Sequence, residues 1–342
     1  MSIPGPRPDP GGLLVAVVTH TAPQTLQEIL HALCDAAGPP HVLVLFTGGP
    51  ASRHLTAAQK AAADCGTDIL LTPGPQRIGT ARAWLITQMP GPARHGPDTV
   101  AFLDDDCVPR PGWHAVARAA TTAGAALAFG PRYPGRLTGL GARVRAAETA
   151  RSRKLRAVAA PGPVTAPQML VAGGNMIVSL DAVRRLGITD PAFAAGAFED
   201  VDLQLRAQAA EETVEYWPGL AVDHHDALTA WQLLRKSTLS GTGMAACAAR
   251  HGDAFWRCCR WRPARLLARR LAPALAAALC ATALPPARHL PILAAAALMA
   301  IAAAAHAPAR RRLAVPALRT LRDVVLALSY LAGRARLAAA SR

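Results

Sequence analysis

Three consecutive acids, Asp104, Asp105 and Asp106, close an apolar run that begins at Val100. Pro109, Gly112 and Trp113 follow. An unbroken run of Val, Ala, Phe and Leu reads as a strand buried on both faces of a parallel sheet. Such sheets bind ligands beyond the carboxyl ends of their strands. Carboxylates crowded there are poorly solvated and repel one another. A hard divalent cation, Mg²⁺ or Mn²⁺, relieves both problems and can in turn hold a diphosphate. The same run also fits the acidic strand of an ATPase, or a solvated turn.

A second acidic stretch, Phe198-Glu199-Asp200-Val201-Asp202-Leu203, has Arg206 shortly after it. A carboxylate near a helix start, such as Asp200, is favoured in its ionised form. Beside a metal-bound electrophile it is a competent general base. The competing reading is that Glu199, Asp200 and Asp202 only complement the helix dipole. The third piece is His224-His225, beyond the turn Pro218-Gly219. Neutral imidazole is a good metal ligand, although a His pair also fits a surface or a satisfied core. Its place 24 residues after Asp200 favours the ligand reading, with His224 preferred.

These groups need elements to position them. Continuous apolar runs predict strands over 13–19, 41–46, 68–71 and 100–104. Helical spacing predicts helices over 24–37, 57–65 and 79–89, alternating with those strands. The alternation implies an α/β fold with a mixed, mostly parallel sheet flanked by helices. Further on, a strand over 125–129 and a helix near 142–157 are expected. A strand over 169–179 is interrupted by Gly173-Gly174. Asp181 is expected to cap a helix over 182–186. A helix over 201–209 and a strand over 213–217 follow. Residues 228–250 read as a helix broken near Gly241 and Gly243.

In order and spacing these pieces resemble the family-2 nucleotide-sugar glycosyltransferases, which have the GT-A fold. LLVAVVTH resembles the family's first, nucleotide-binding strand, and implies a place for Thr19 at the nucleotide. The segment from Arg77 to Arg82 resembles its helix start before the metal strand. FLDDDCVPRPGW resembles the aspartate-x-aspartate strand, GGNMIVSLDAVRRLG the acceptor-side strand and helix, and FEDVDLQLR the Glu-Asp base motif. The resemblance implies that Asp106, with His224 and a diphosphate, holds the cation. It places Asp104 on the ribose or uracil side and also near the metal, with Asp105 and Gly79 on the donor side. Arg82 would contact the diphosphate or serve as an ion-pair partner. Gly173 and Gly174 would admit a close approach of donor or acceptor, or form a β-bulge. Asp200, with Glu199 beside it, would deprotonate an acceptor hydroxyl in a single inverting displacement. Trp113 is expected in the core. The donor would be a UDP-, GDP- or dTDP-sugar. The acceptor would be a lipid-linked glycan, an envelope polymer or a small natural product. The chain departs from the family at Phe46-Thr47-Gly48-Gly49, where an Asp with Gly or Ser is common. LLRKSTLSGTGMAACAARHGD resembles actinobacterial members, including the mycofactocin-pathway glycosyltransferases.

Charge separates the chain into parts. The net charge is +15, but residues 251–342 hold fifteen Arg and two acids, which is +13. The first 250 residues, with 22 basic and 20 acidic groups, are nearly neutral. We therefore expect a flexible segment over 1–12, a catalytic domain over 13–250 and a basic, Ala-rich helical tail over 251–342. The tail has few aromatic residues, so its Arg suit an anionic membrane surface better than nucleic acid. Leu271–Leu284 and Leu290–Ala305 are apolar stretches of 14 and 16 residues, short of the ~20 needed to cross a ~30 Å core. Arg269-Arg270 and Arg310-Arg311-Arg312 flank them, and imply a shallow hairpin or interfacial helices at the cytoplasmic face of the membrane. A soluble helical bundle is the alternative.

Seven Cys, an odd number with no C-x-x-C spacing, argue against a disulfide framework or a zinc site and suggest a reducing compartment. Residues 1–12 lack the apolar core of a secretory signal. There is no G-x-x-x-x-G-K-[ST], which counts against an ATPase. A non-enzymatic membrane or nucleic-acid-binding protein using the basic tail is the rival from another class. It predicts strongly salt-dependent binding.

Overall fold

A computed structural model describes residues 12–21, 24–35, 40–89, 97–149, 160–164, 173–190, 193, 197–259, 263, 265, 268 and 307–340. β1 (Leu13–Thr19) is buried along its whole length, as its unbroken apolar sequence requires. It pairs in parallel with β2 (His41–Phe46) on one side and β4 (Thr99–Asp104) on the other. β3 (Asp68–Leu71) extends this half beyond β2, again in parallel. α1 (Gln24–Cys34), α2 (Leu55–Asp64) and α3 (Ile78–Gln88) follow these strands in turn.

Beyond β4 the sheet becomes mixed. β9 (Asn175–Ser179) lies antiparallel between β4 and β6 (Leu127–Phe129). β10 (Val214–Tyr216) runs parallel to β6, and β8 (Gly162–Pro163) closes the edge. The strand order is β3-β2-β1-β4-β9-β6-β10-β8. Alternation along β1 divides the core into two layers. Leu14, Ala16 and Val18 pack with Ala81 and Leu85 of α3, Val183 of α6 (Leu180–Leu186) and Leu203 of α7 (Glu199–Ala209). Leu13, Val15 and Val17 pack with Leu26, Ile29 and Leu30 of α1, Ala58 and Ala62 of α2, and Ala117 of α4 (Trp113–Thr122). The result is the expected helix–sheet–helix arrangement.

A second, three-stranded sheet has the order β5-β11-β7, formed by β5 (Cys107–Pro109), β11 (Val222–Ala227) and β7 (Arg132–Thr138). It had no counterpart in the sequence reading. Two other expectations need correction. The cap of α6 is Ser179, whose hydroxyl accepts from the Ala182 amide at 3.4 Å, and Asp181 lies inside the first turn. The helix after β11, α8 (Ala230–Cys258), continues through Gly241 and Gly243 and is interrupted at Gly252.

Contacts divide the chain into two units. One is 1–136 with 149–226 and 246–259; the other is 137–148 with 227–245 and 260–342. In the second unit, Val144 of α5 (Gly139–Thr149), Leu233 of α8 and Leu318 of α9 (Ala307–Ala340) share a small core. Gly241 lies in the close approach of α8 to α9: a Cβ there would fall 2.5 Å from the Leu326 carbonyl oxygen. Packing, not helix breaking, accounts for that glycine. Among the described residues no helix is long and apolar enough to cross a membrane. The apolar stretches 271–284 and 290–305, with their Arg269-Arg270 flank, lie outside the described residues, as do 1–11 and 169–172.

Candidate active site

β4 brings the three acids to the carboxyl edge of the sheet, and each meets a different fate. Asp104 accepts from Arg82 Nη2 at 2.6 Å. The Arg82 guanidinium is buried, rests over the Phe102 ring and also donates to the Gly173 carbonyl at 2.8 Å. Burial pushes the Asp104 carboxyl up; Arg82 pulls against that, and Asp106 adds to it. Asp105 turns back under the strand, where Thr19 Oγ1 donates to its carboxylate at 2.6 Å. Burial raises its pKa to about 7, with Thr19 opposing and Asp106 and Asp104 contributing. Thr19 thus lies beneath the acids as a support for Asp105.

Asp106 faces the small sheet. Its Oδ2 lies 3.3 Å from His224 Nε2, and its Oδ1 accepts from the Cys107 thiol at 3.3 Å. The backbone adds a further tie, from the His225 amide to the Asp106 carbonyl at 2.7 Å. Ligand atoms of Asp106, Cys107 and His224 all fall within 4.8 Å of one another. Carboxylate oxygen and imidazole nitrogen are an apt donor set for a divalent cation. β11 alternates, so His225 points away from this cluster. Its ring packs where a side chain at Gly135 would sit. Burial lowers its pKa, and Arg136 lowers it further.

The second acidic stretch opens α7. Phe198, just before it, adopts φ 67°, a left-handed conformation uncommon for a bulky residue. Its ring packs edge-on against Phe255 at 6.0 Å. From there the first turn aims Asp200 at the diglycine: Asp200 Oδ2 accepts from the Gly173 amide at 2.8 Å. The Gly174 carbonyl in turn accepts from the Asp104 amide at 3.1 Å. The diglycine therefore joins the two acidic elements. It has no room for side chains: a Cβ on Gly174 would fall 2.5 Å from Asp104 Oδ2, and one on Gly173 would fall 2.9 Å from Arg82 Nη1. Glu199 sits against Gly79, where a Cβ would come 3.5 Å from its Cγ. Burial raises the Glu199 pKa to about 7, and the neighbouring Asp200 adds to the rise.

Two features escaped the sequence reading. Arg132, at the start of β7, lies in the field of Asp104, Asp106 and Asp200. It follows Gly130-Pro131 with no motif to mark it. Asp202 is fully buried and ion-paired with Arg206 at 2.7 Å and Arg250 at 3.1 Å, and His251 Nε2 lies 2.9 Å from its carboxylate. These contacts fix the helix that carries Asp200. Trp113 is core, as expected, and its Nε1 donates to Asn175 at 3.0 Å.

A family model described as "Glycosyltransferase like family 2" matches residues 10–240. The chain belongs to glycosyltransferase family 2. The fold agrees. The mannosyltransferase PcManGT from Pyrobaculum calidifontis, solved with GDP-Man and Mn²⁺, is 16% identical with TM-score 0.55, covering 95% of this chain and 89% of that one. This likeness shows the GT-A fold. Glucosyl-3-phosphoglycerate synthase from Mycobacterium tuberculosis, solved with Mn²⁺, UDP and glucosyl-3-phosphoglycerate, is 14% identical with TM-score 0.47, covering 70% of this chain and 80% of that one. GalNAc-T7, solved with UDP, GalNAc and Mn²⁺, is 12% identical with TM-score 0.48, and this family-2 chain spans half of its length. No curated protein matches the chain.

Proposed function

We propose that this family-2 glycosyltransferase moves a sugar from a nucleoside-diphosphate donor to a hydroxyl acceptor, with inversion and with a divalent cation. The observation that carries this reading is the diglycine turn that ties Asp104 of the acidic strand end to Asp200, with the Asp106–His224 pair at that same strand end, within the span matched by the family. The donor set fits Mg²⁺ or Mn²⁺, held by Asp106 and His224 together with the donor diphosphate. When bound, the cation offsets the negative charge that develops on the departing nucleoside diphosphate. Mn²⁺ in the PcManGT structure supports this.

The remaining roles fall to the chain's own groups. Asp200, fixed by the Gly173 amide, takes the proton of the acceptor hydroxyl as the oxygen attacks the anomeric carbon. Glu199 beside it stays protonated to a higher pH than an ordinary carboxyl. Arg82, Gly173 and Gly174 keep Asp104 in place on the donor side. Gly79 and Asp105 support the site from below through Glu199 and Thr19. Arg132 adds positive charge where a diphosphate would lie.

Cell-envelope glycans, glycolipids or natural products are the proposed acceptors, and the basic tail is proposed to hold the enzyme against the cytoplasmic face of the membrane. Leu321, Leu328 and Leu331 of α9 are exposed and fall on one side of the helix, which supports contact with a lipid surface. The likeness of 233–253 to mycofactocin-pathway enzymes rests on that sequence alone. The test is a screen of UDP-, GDP- and dTDP-sugars for nucleotide release with Mg²⁺ or Mn²⁺. Cation-dependent release from at least one donor is expected. Salt-dependent nucleic-acid binding with no release from any donor would favour the non-enzymatic rival.

A further inference from the structure

We propose that the cation pocket doubles as a site for thiophilic cations, with Cys107 as a third ligand beside Asp106 and His224. The inference rests on the proposed Asp106–His224 cation site and adds a ligand to it. Cys107 immediately follows the acidic run and is fully buried. Antiparallel pairing of β5 with β11 sets Cys107 directly opposite His224. Residues opposed in this way project to the same face of a sheet. The register therefore aims thiol and imidazole at one spot, and the turn before β5 brings the Asp106 carboxylate to it.

The spacing suits a small tetrahedral cation. Bond lengths of about 2.3 Å to sulfur and about 2.0 Å to nitrogen and oxygen place tetrahedral ligand atoms roughly 3.3–3.6 Å apart. Asp106 Oδ2 to His224 Nε2 is 3.3 Å, and Asp106 Oδ1 to Cys107 Sγ is 3.3 Å. All three groups lie within 4.8 Å. Gly174 keeps the approach open, because a Cβ there would come 3.3 Å from the sulfur. One thiolate, one imidazole and one carboxylate with a fourth position open is a Zn²⁺-type set. Mg²⁺ prefers oxygen ligands and leaves the thiol aside. The thiol proton leaves to solvent as the sulfur–metal bond forms. Zn²⁺, Cd²⁺ or Co²⁺ would then occupy the pocket in competition with Mn²⁺.

Co²⁺ is the probe, because thiolate ligation gives a near-ultraviolet charge-transfer absorption that oxygen and nitrogen ligands do not. Full-length protein titrated with Co²⁺ should show this band at one equivalent. Zn²⁺ should bleach it, and should displace bound Mn²⁺ followed by its paramagnetic signal. Cys107→Ser and Cys107→Ala should each lose the band. Both should bind Zn²⁺ at least about 10–100-fold more weakly, since losing even a group that only hydrogen-bonds to a metal ligand costs that much. Circular dichroism checks that both variants are folded, and His224→Ala should weaken the band as well. Co²⁺ binding without the band would overturn the inference, as would a band that survives in both Cys107 variants. Mn²⁺ binding with UDP or GDP alongside no band would remove this inference and leave the functional reading standing. No binding of any cation would remove both.

Discussion

Asp202 and Asp106 both belong to runs of acids, yet their surroundings differ in kind. Asp202 is completely buried, and two guanidiniums and an imidazole surround it within 3.1 Å. Asp106 remains one-third exposed at the edge of the sheet and faces an imidazole and a thiol. The chain supplies Asp202 with fixed positive charge, which is how a structural carboxylate is made tolerable inside a protein. It supplies Asp106 with further ligands, an arrangement suited to a cation from solution. Asp200, two residues before Asp202, points to the other side of the same helix. One turn of α7 therefore holds a structural and a candidate catalytic carboxylate on opposite sides.

The largest expected effect separates the two. Asp106→Asn should nearly abolish nucleotide-sugar turnover and leave the thermal unfolding midpoint close to wild type. Asp202→Asn should do the reverse at first order, costing about 2–3 kcal/mol. That is below the ~3–5 kcal/mol of a dry pair, because Arg250 is 40% exposed. Denaturant unfolding beside initial rates gives both numbers, and equal stability losses in the two variants would erase the contrast. Next in size is Asp200→Asn, which keeps the shape and removes the proton acceptor. A loss of about 10²–10⁴-fold in kcat with donor affinity nearly unchanged is expected. A parallel loss of donor affinity would make Asp200 a binding residue.

The two histidines sharpen the account further. His224→Ala should lower activity more than His225→Ala, with partial rescue by excess Mn²⁺, because β11 directs only His224 toward Asp106. The reverse ranking would move the ligand to His225. The smallest effect concerns pH. Glu199 and Asp105 are raised to about 7 in the folded chain, against about 4.3 and 3.9 when unfolded. Between those limits the folded state binds more protons than the unfolded state. Stability therefore falls as pH rises from about 4 to about 7 and levels off above. Glu199→Gln should flatten that slope in cation-free protein. An unchanged slope, measured by thermal unfolding across the window, would remove Glu199 as a contributor.

The parts readable from sequence were those with redundant signals. β1 and β2 span the residues expected of them, because strands buried on both faces leave little freedom of composition. The acids were visible because runs of three are rare at a strand end. The small sheet was not, since Cys-Val-Pro and Val-Asp-His-His-Asp-Ala have neither apolar continuity nor clean alternation. Yet that sheet decides which His meets Asp106. The partners of Asp202 were equally hidden, because Arg250 and His251 arrive from a helix about fifty residues later. Gly241 shows the opposite failure: a strong local signal for a break was overruled by close helix packing.

The most direct test of the central claim is a thermal shift of the full-length protein with Mn²⁺ and a nucleoside diphosphate, UDP or GDP. For the wild type, cation and nucleotide together should raise the unfolding midpoint more than the sum of either alone. Asp106→Asn should lose that excess while keeping its own midpoint. An equal excess in Asp106→Asn, or none in the wild type with either nucleotide, would contradict a diphosphate-bound cation at Asp106 and His224.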